Sequence, residues 1–190
     1  MEGIRPIDGI VASAQVALDA RVQNLQQAFV GIAHGRMAGL PLMNPALAVE
    51  ALGFAAQPDE RAPRSPNQQG EEDGGGEGGL GVLLTPWFMN LVWLPLRPAG
   101  EAALPQGVSR VRRIGGERFE VIGAHEDQAG AYEMCSLFSP MFEFTDQAAA
   151  RATALAVLDA LRVPPARVAT IVPPPRRAFL FGRGAAGSGR

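Results

Sequence analysis

Lysine is missing from this chain altogether; all 17 of its basic residues are arginine. The glycine runs Gly74-Gly75-Gly76 and Gly78-Gly79 therefore cannot form a phosphate-binding loop of the kind that needs a lysine. They also precede a strand, whereas such a loop follows a strand and opens a helix. Cysteine is nearly missing. The single thiol, Cys135, excludes an intramolecular disulfide, a paired-cysteine redox motif and a multi-thiolate zinc site. With only His34 and His125 besides, a metal centre would have to lean on carboxylates, and no spacing points to one, so neither metal nor cofactor is expected. No apolar run reaches the roughly eighteen residues that a membrane span needs. The N-terminus lacks a basic start followed by an apolar core, so a cytoplasmic protein is expected. Seventeen basic residues against 19 acidic ones leave a net charge of −2, which offers nucleic acid or an anionic membrane no global attraction.

What is present fits one domain. Apolar residues make up 47% of 190, enough for a core, while 23 Gly and 16 Pro mark loops and tails. Leu18, Val22, Leu25, Phe29 and Ile32 recur at three- and four-residue steps and predict an amphipathic helix over roughly 17–35, with Arg21 off the stripe. Residues 1–16 either extend that helix or form a flexible segment. Residues 48–56 read as a strand. Residues 57–78 hold no large apolar side chain and read as a disordered insertion. Strands follow at 80–85 and 88–94, broken by Pro86. A hairpin spans 108–124 around Gly115-Gly116, and a further strand covers 132–139. Thr145 or Asp146 caps a closing helix over about 146–162, whose apolar side is read as Ala149, Ala152, Leu155, Ala156 and Leu158. Residues 164–190 read as a flexible Pro/Arg/Gly-rich tail. Helix, strands, helix predicts an α+β fold with an antiparallel sheet; strand order is not readable at this level.

Two chemistries compete. Cys135 and His125 offer a nucleophile and a base, which would make the chain a cysteine-dependent enzyme; a buried, inert cysteine beside acids is the simpler reading. The runs TPWFMN and SLFSPMFEF set aromatics and Met beside prolines, a pattern of ordinary core and also of grooves that take apolar peptides. Between Glu117 and Asp146 stand seven acids and one base, and from Arg162 onward six arginines and no acid. These read as a solvated face and a basic tail, or as an acidic surface that receives a basic segment.

The stretches RMAGLPLMNPALAVEALGF (36–54), GVLLTPWFMNLVWLPL (81–96) and RFEVIGAHEDQAGAYEMCSLFSPMFEFTDQAAARATALAVL (118–158) resemble the HybE/HupJ/HoxT family of nickel–iron hydrogenase assembly chaperones. The likeness covers about residues 20–160. It implies a non-enzymatic accessory protein that holds the hydrogenase small subunit by its twin-arginine signal peptide until cofactors are in place, with contact to the large subunit also implied. A chaperone for another exported redox enzyme is the neighbouring alternative. A signal peptide of this kind is an arginine pair followed by an apolar stretch. Its complement is an apolar surface, for which Trp87, Phe88, Met89, Phe138, Met141 and Phe142 are the candidates. The matching acidic rim is read as Glu120, Glu126, Asp127, Glu133 and Glu143.

One motif stands apart. Residues 176–180 read Arg-Arg-Ala-Phe-Leu, the core of a twin-arginine export signal, yet the following FGRGAAGSGR offers no apolar stretch. Either this is simply basic tail, or Arg176, Arg177, Phe179 and Leu180 imitate the signal peptide on the chain's own binding surface.

Overall fold

The structure, a computed structural model, describes residues 6–58, 77–96 and 104–162. In chain order the elements are α1 (Pro6–His34), β1 (Glu50–Pro58), β2 (Glu77–Leu84), β3 (Met89–Pro95), β4 (Ser109–Ile114), β5 (Glu117–Glu126), β6 (Gly130–Phe138) and α2 (Gln147–Arg162). The strands form one sheet in the order β1-β2-β3-β6-β5-β4, antiparallel at every pairing. Two three-stranded meanders thus lie side by side, joined where β3 meets β6. The fold is α+β, as the order of elements predicts.

Each face of the sheet carries one helix, which explains why β2 and β3 read as unbroken apolar runs rather than alternating ones. Leu80, Val82 and Leu84 of β2 with Met89, Leu91 and Trp93 of β3 pack with Ala150, Ala154 and Leu158 of α2. The intervening Leu83, Val92 and Leu94 pack with Leu18, Leu25 and Phe29 of α1. The stripe read from the sequence of α1 is therefore the buried one. Its helix, however, begins at Pro6 rather than near residue 17, with proline at the position where a missing N–H costs nothing.

The buried face of α2 differs from the expected one. Ala150, Ala154 and Leu158 form a four-residue ladder into the core, whereas Ala149, Ala152, Leu155 and Ala156 face outward. The helix reads QAAARATALAVLDALR, with alanine on every side, so alanine carries no facial information there. Its cap is Asp146, whose Oδ1 accepts the Ala149 N–H at 2.8 Å.

Around the insertion, the strands run further than expected. Gln57 pairs with Gly78 and Pro58 with Glu77, bringing the two ends together. Residues 59–76, like the tail from 163, lie outside the described residues.

The sheet is curled about α2. Six flat strands would set their edges about 24 Å apart, while a helix with its side chains is about 10–12 Å across. Yet the end of α2 reaches both sides. Arg162 donates to the Gly53 carbonyl on edge strand β1. Leu161 lies against Gly115 in the β4–β5 turn, so closely that a Cβ added there would land on the Leu161 carbonyl. The β1 edge is also capped from α1: Gln26 Oε1 accepts the Ala51 N–H at 2.9 Å, and Gln15 Oε1 accepts the Ala56 N–H at 3.2 Å.

Gly115 is thus required twice, by its φ of +60° and by the approach of Leu161. The left-handed conformation alone costs an alanine about 1–2 kcal/mol, so Gly115→Ala should lower Tm by several degrees, readable by thermal circular dichroism. An unchanged Tm would show that α2 does not seat on this turn.

Candidate partner-binding site

Three loops meet at Asn44, which is buried. Its Nδ2 donates to the carbonyls of Met141 (3.0 Å) and Phe144 (2.8 Å), and its Oδ1 accepts the Ala46 N–H at 3.0 Å. Its own N–H donates to the Pro86 carbonyl at 2.8 Å. One side chain therefore ties the segment after α1 to the loop after β6, and its backbone ties both to the β2–β3 turn. That turn is closed by Thr85, whose Oγ1 accepts the Phe88 N–H at 2.9 Å and donates to the Phe88 carbonyl at 3.0 Å. Ser139 Oγ donates to the Trp87 carbonyl at 3.4 Å. The motifs TPWFMN and SLFSPMFEF, far apart in the chain, thus become one platform.

Within it, the aromatic and Met residues named from the sequence divide. Trp87, Met89 and Met141 are buried and belong to the core, not to an open groove. Phe88 is half-buried, packing edge-on to Phe29 and Trp87 at 5.7 and 5.5 Å. Phe138 is likewise half-buried against Phe144. Phe142 alone of the six is open, 57% exposed, and Leu40 and Leu42 on the neighbouring segment are open too. Burial in a two-sided sheet explains the division: residues at the β2–β3 junction sit between helices on both faces.

The acids divide as well. Glu133 is 1% exposed and is consumed inside the fold. Its carboxylate accepts from Arg112 Nε (3.1 Å) and Nη2 (3.0 Å) and from Arg110, while the Arg112 guanidinium lies 4.1 Å from the Trp93 ring centroid. Glu133 is therefore a structural acid and not part of a rim. Glu120 is exposed on β5, six residues from Glu126 and thus about 20 Å along the strand, so the two share no single site. Glu143 is exposed beside Phe142 on the platform.

Glu126 and Asp127 do come together, at the β5–β6 turn. They line a cleft of about 380 Å³ whose other walls are Gln27, Ala28, Gly31 and Ile32 of α1, with Arg36 and Gln128. Arg36 donates to Glu126 Oε1 at 2.5 Å. The cleft therefore combines a short apolar wall with two carboxylates and one arginine, a net of −1. Tyr132 lies beneath, edge-on to Phe29 at 6.3 Å. Burial, then the Glu126 charge, pushes its phenol up to about 12, with Arg36 opposing. The hairpin carrying these acids is fixed by Arg21, which sequence periodicity placed off the buried stripe. Its guanidinium enters the interface and donates to the carbonyls of Ala129 and Ala131 (both 2.8 Å) and of Pro95. Residues 36–44 join the two features: Arg36 lines the cleft, Leu40 and Leu42 are exposed along the way, and Asn44 pins the platform.

Cys135 and His125 are not brought together. His125 faces Ala131 across the β5–β6 ladder, four positions from Cys135 and so about 13 Å away along the strand. The thiol packs half-buried against the α2-side core, and burial and then Glu120 raise its pKa, away from a reactive thiolate. Among the described residues no cluster of three or more His, Cys, Asp or Glu could hold a metal ion, and no helix is long and apolar enough to cross a membrane. Arg176, Arg177, Phe179 and Leu180 lie outside the described residues.

The motif residues are thus gathered into a pinned platform and an acidic cleft on a sheet that carries a helix on each face. Comparison with known proteins gives the chain a family. The model of the [NiFe]-hydrogenase assembly chaperone family HybE matches residues 20–182. Protein HoxT of Cupriavidus necator is 50% identical over 171 residues, 86% of this chain and 89% of that protein. The hydrogenase expression/formation protein HoxT of Azotobacter vinelandii is 38% identical, covering 83% of this chain and 88% of that one. The solution structure of HybE from Escherichia coli aligns with a TM-score of 0.49 at 18% identity, over 88% of this chain and 92% of that chain. The chain belongs to the HybE family of [NiFe]-hydrogenase assembly chaperones. The family match runs beyond the likeness visible by eye, which ended near residue 160, and takes in the Arg176–Leu180 segment.

Two expectations check this geometry. Asn44→Ala removes three side-chain hydrogen bonds and takes from the Phe144 carbonyl its Asn44 donor, while the Met141 carbonyl keeps the Phe144 N–H, which should cost about 2–3 kcal/mol in denaturant unfolding; a loss below about 1 kcal/mol would mean the loops hold together without it. Tyr132 is the one tyrosine of the chain, so its ionisation is read without overlap. Because folding raises its pKa from the ordinary 10, its contribution to stability is complete below pH 10 and is lost as pH rises from 10 towards about 12. Absorbance titration should show tyrosinate in the native protein only near pH 12, but near pH 10 in denaturant; coincident curves would place Tyr132 in solvent.

Proposed function

We propose that this protein is a non-catalytic chaperone of the cytoplasm that holds the nickel–iron hydrogenase small subunit by its twin-arginine signal peptide until cofactor insertion is complete. The observation that carries the reading is the cleft at the β5–β6 turn. It sets Glu126 and Asp127 beside an apolar wall of Ala28 and Ile32, and it is linked by residues 36–44 to exposed Leu40 and Leu42 and, through Asn44, to Phe142. An arginine pair followed by an apolar stretch matches that order: charge at the cleft, apolar side chains along the run to the platform. Arg36 on Glu126 supports the reading further, since a guanidinium already fits there. The separation of Cys135 from His125 supports a binding role over a cysteine-dependent reaction.

Isothermal titration with a synthetic small-subunit signal peptide tests this. Glu126→Arg with Asp127→Arg should weaken binding about five- to tenfold, since exposed charge contacts are each worth well under 1–2 kcal/mol. Raising the salt to 0.5 M should weaken wild-type binding too. Affinity indifferent to both changes would rule the reading out.

A further inference from the structure

The cleft faces a second claimant within the same chain. We propose that the C-terminal segment Arg176-Arg177-Ala178-Phe179-Leu180 docks at the α1/β5–β6 cleft and competes there with the arginine-bearing segment of the partner. This rests on the partner reading above for the word competes, but not for the docking itself.

Four observations converge. First, the cleft accepts a guanidinium, because Arg36 already donates to Glu126 at 2.5 Å while its side chain stays 63% exposed. A contact so exposed is weak and exchangeable, and Asp127 beside it is exposed and free to take a second arginine. Second, the segment carries the complementary pattern: two adjacent arginines, then Phe179 and Leu180 after one alanine, to set against Ala28, Gly31 and Ile32. From Arg162 to the end the chain holds six arginines and no acid. Third, the family match runs through residue 182 and so takes in the segment. Fourth, the reach suffices. The last described residue is Arg162, at the end of α2. The thirteen residues from 163 to 175 span up to about 45 Å when extended, and a domain of this size is about 35–40 Å across. Proline-rich segments favour extended chain, and Pro173, Pro174 and Pro175 directly precede the arginine pair, which lowers the entropy lost on docking.

Tethering makes even a weak contact effective. At an effective concentration of about 1 mM, a segment with an intrinsic Kd of about 100 µM occupies the cleft some nine-tenths of the time and weakens a competitor about tenfold. A partner signal peptide that binds more strongly still displaces it, so the tail sets a threshold that a weakly held or wrong peptide does not pass.

The test uses the full chain, a chain truncated after Val172, and the full-length Arg176→Gln/Arg177→Gln variant, which keeps length and composition nearly intact should truncation impair folding. Signal-peptide affinity should rise about tenfold in both altered proteins, and a synthetic peptide of residues 173–183 added in trans should restore competition. Independently of any partner, backbone amide NMR signals of Gly31, Ile32 and Gln128 should shift when the tail is removed. Unchanged signals with unchanged affinity overturn the proposal while leaving the partner reading standing. Shifts at the cleft with no signal-peptide binding by any form uphold the docking and overturn the partner reading instead. Shifts confined to α2 and the β4–β5 turn place the tail elsewhere and overturn the proposal.

Discussion

The pin at Asn44 is the interaction on which the platform of loops depends. A carboxamide is one of few side chains able to donate twice and accept once in a single plane; here it binds the loop after β6 to its own segment, while the Asn44 backbone N–H adds the β2–β3 turn. Without the carboxamide the Phe144 carbonyl would need another donor, and the segment after α1 would be tied to the β2–β3 turn alone, through its backbone. With it, Leu40, Leu42 and Phe142 are presented on a fixed backbone even though they are open to solvent. Rigidity at that point matters to a protein whose work is holding, because ordering a loop at the moment of binding subtracts from affinity.

A second dependence runs through the β5–β6 hairpin. Its two acids are positioned by Arg21 from the helix side and by the ladder from β6 to β3 on the sheet side. The same α1 that covers one face of the sheet therefore also builds the cleft, supplying Ala28, Gly31 and Ile32 on one side and, through Arg21, the placement of Glu126 on the other. The opposite face has a different economy. Glu133 with Arg110 and Arg112 forms a buried ionic cluster against Trp93, where removing one partner would strand the remaining charges.

These roles mark the limit of what was legible in the residues alone. The α1 stripe could be read because polar residues separate its apolar ones. The strands could be read because prolines and paired glycines bound them. The face of α2 could not, since alanine surrounds the helix and only the four-residue ladder through Leu158 enters the core. Asn44 and Glu133 were opaque for another reason: their partners lie 97, 100 and 21 residues away, and no local pattern encodes such contacts. Trp87, Met89 and Met141 looked like a groove because aromatic and Met residues serve cores and peptide surfaces alike; the two-sided sheet decides for the core. Of the acids, Glu126 and Asp127, adjacent in sequence, are the two that line one cleft. TPWFMN and SLFSPMFEF, which carry the family resemblance, are the motifs that build the platform, with Thr85 closing the β2–β3 turn and Ser139 reaching across to it.

The glutamines that cap the outer rim of β1 carry a further meaning. An open strand rim is a template: any extended chain that drifts by can add itself through backbone contacts alone, without regard to sequence. A protein that meets incompletely assembled clients meets such chains constantly. Gln15 and Gln26 occupy the Ala56 and Ala51 amides, and Arg162 occupies the Gly53 carbonyl, so that this rim is already answered from within. Recognition is thereby withdrawn there from the backbone, which every polypeptide shares, and left to side chains, which distinguish one client from another.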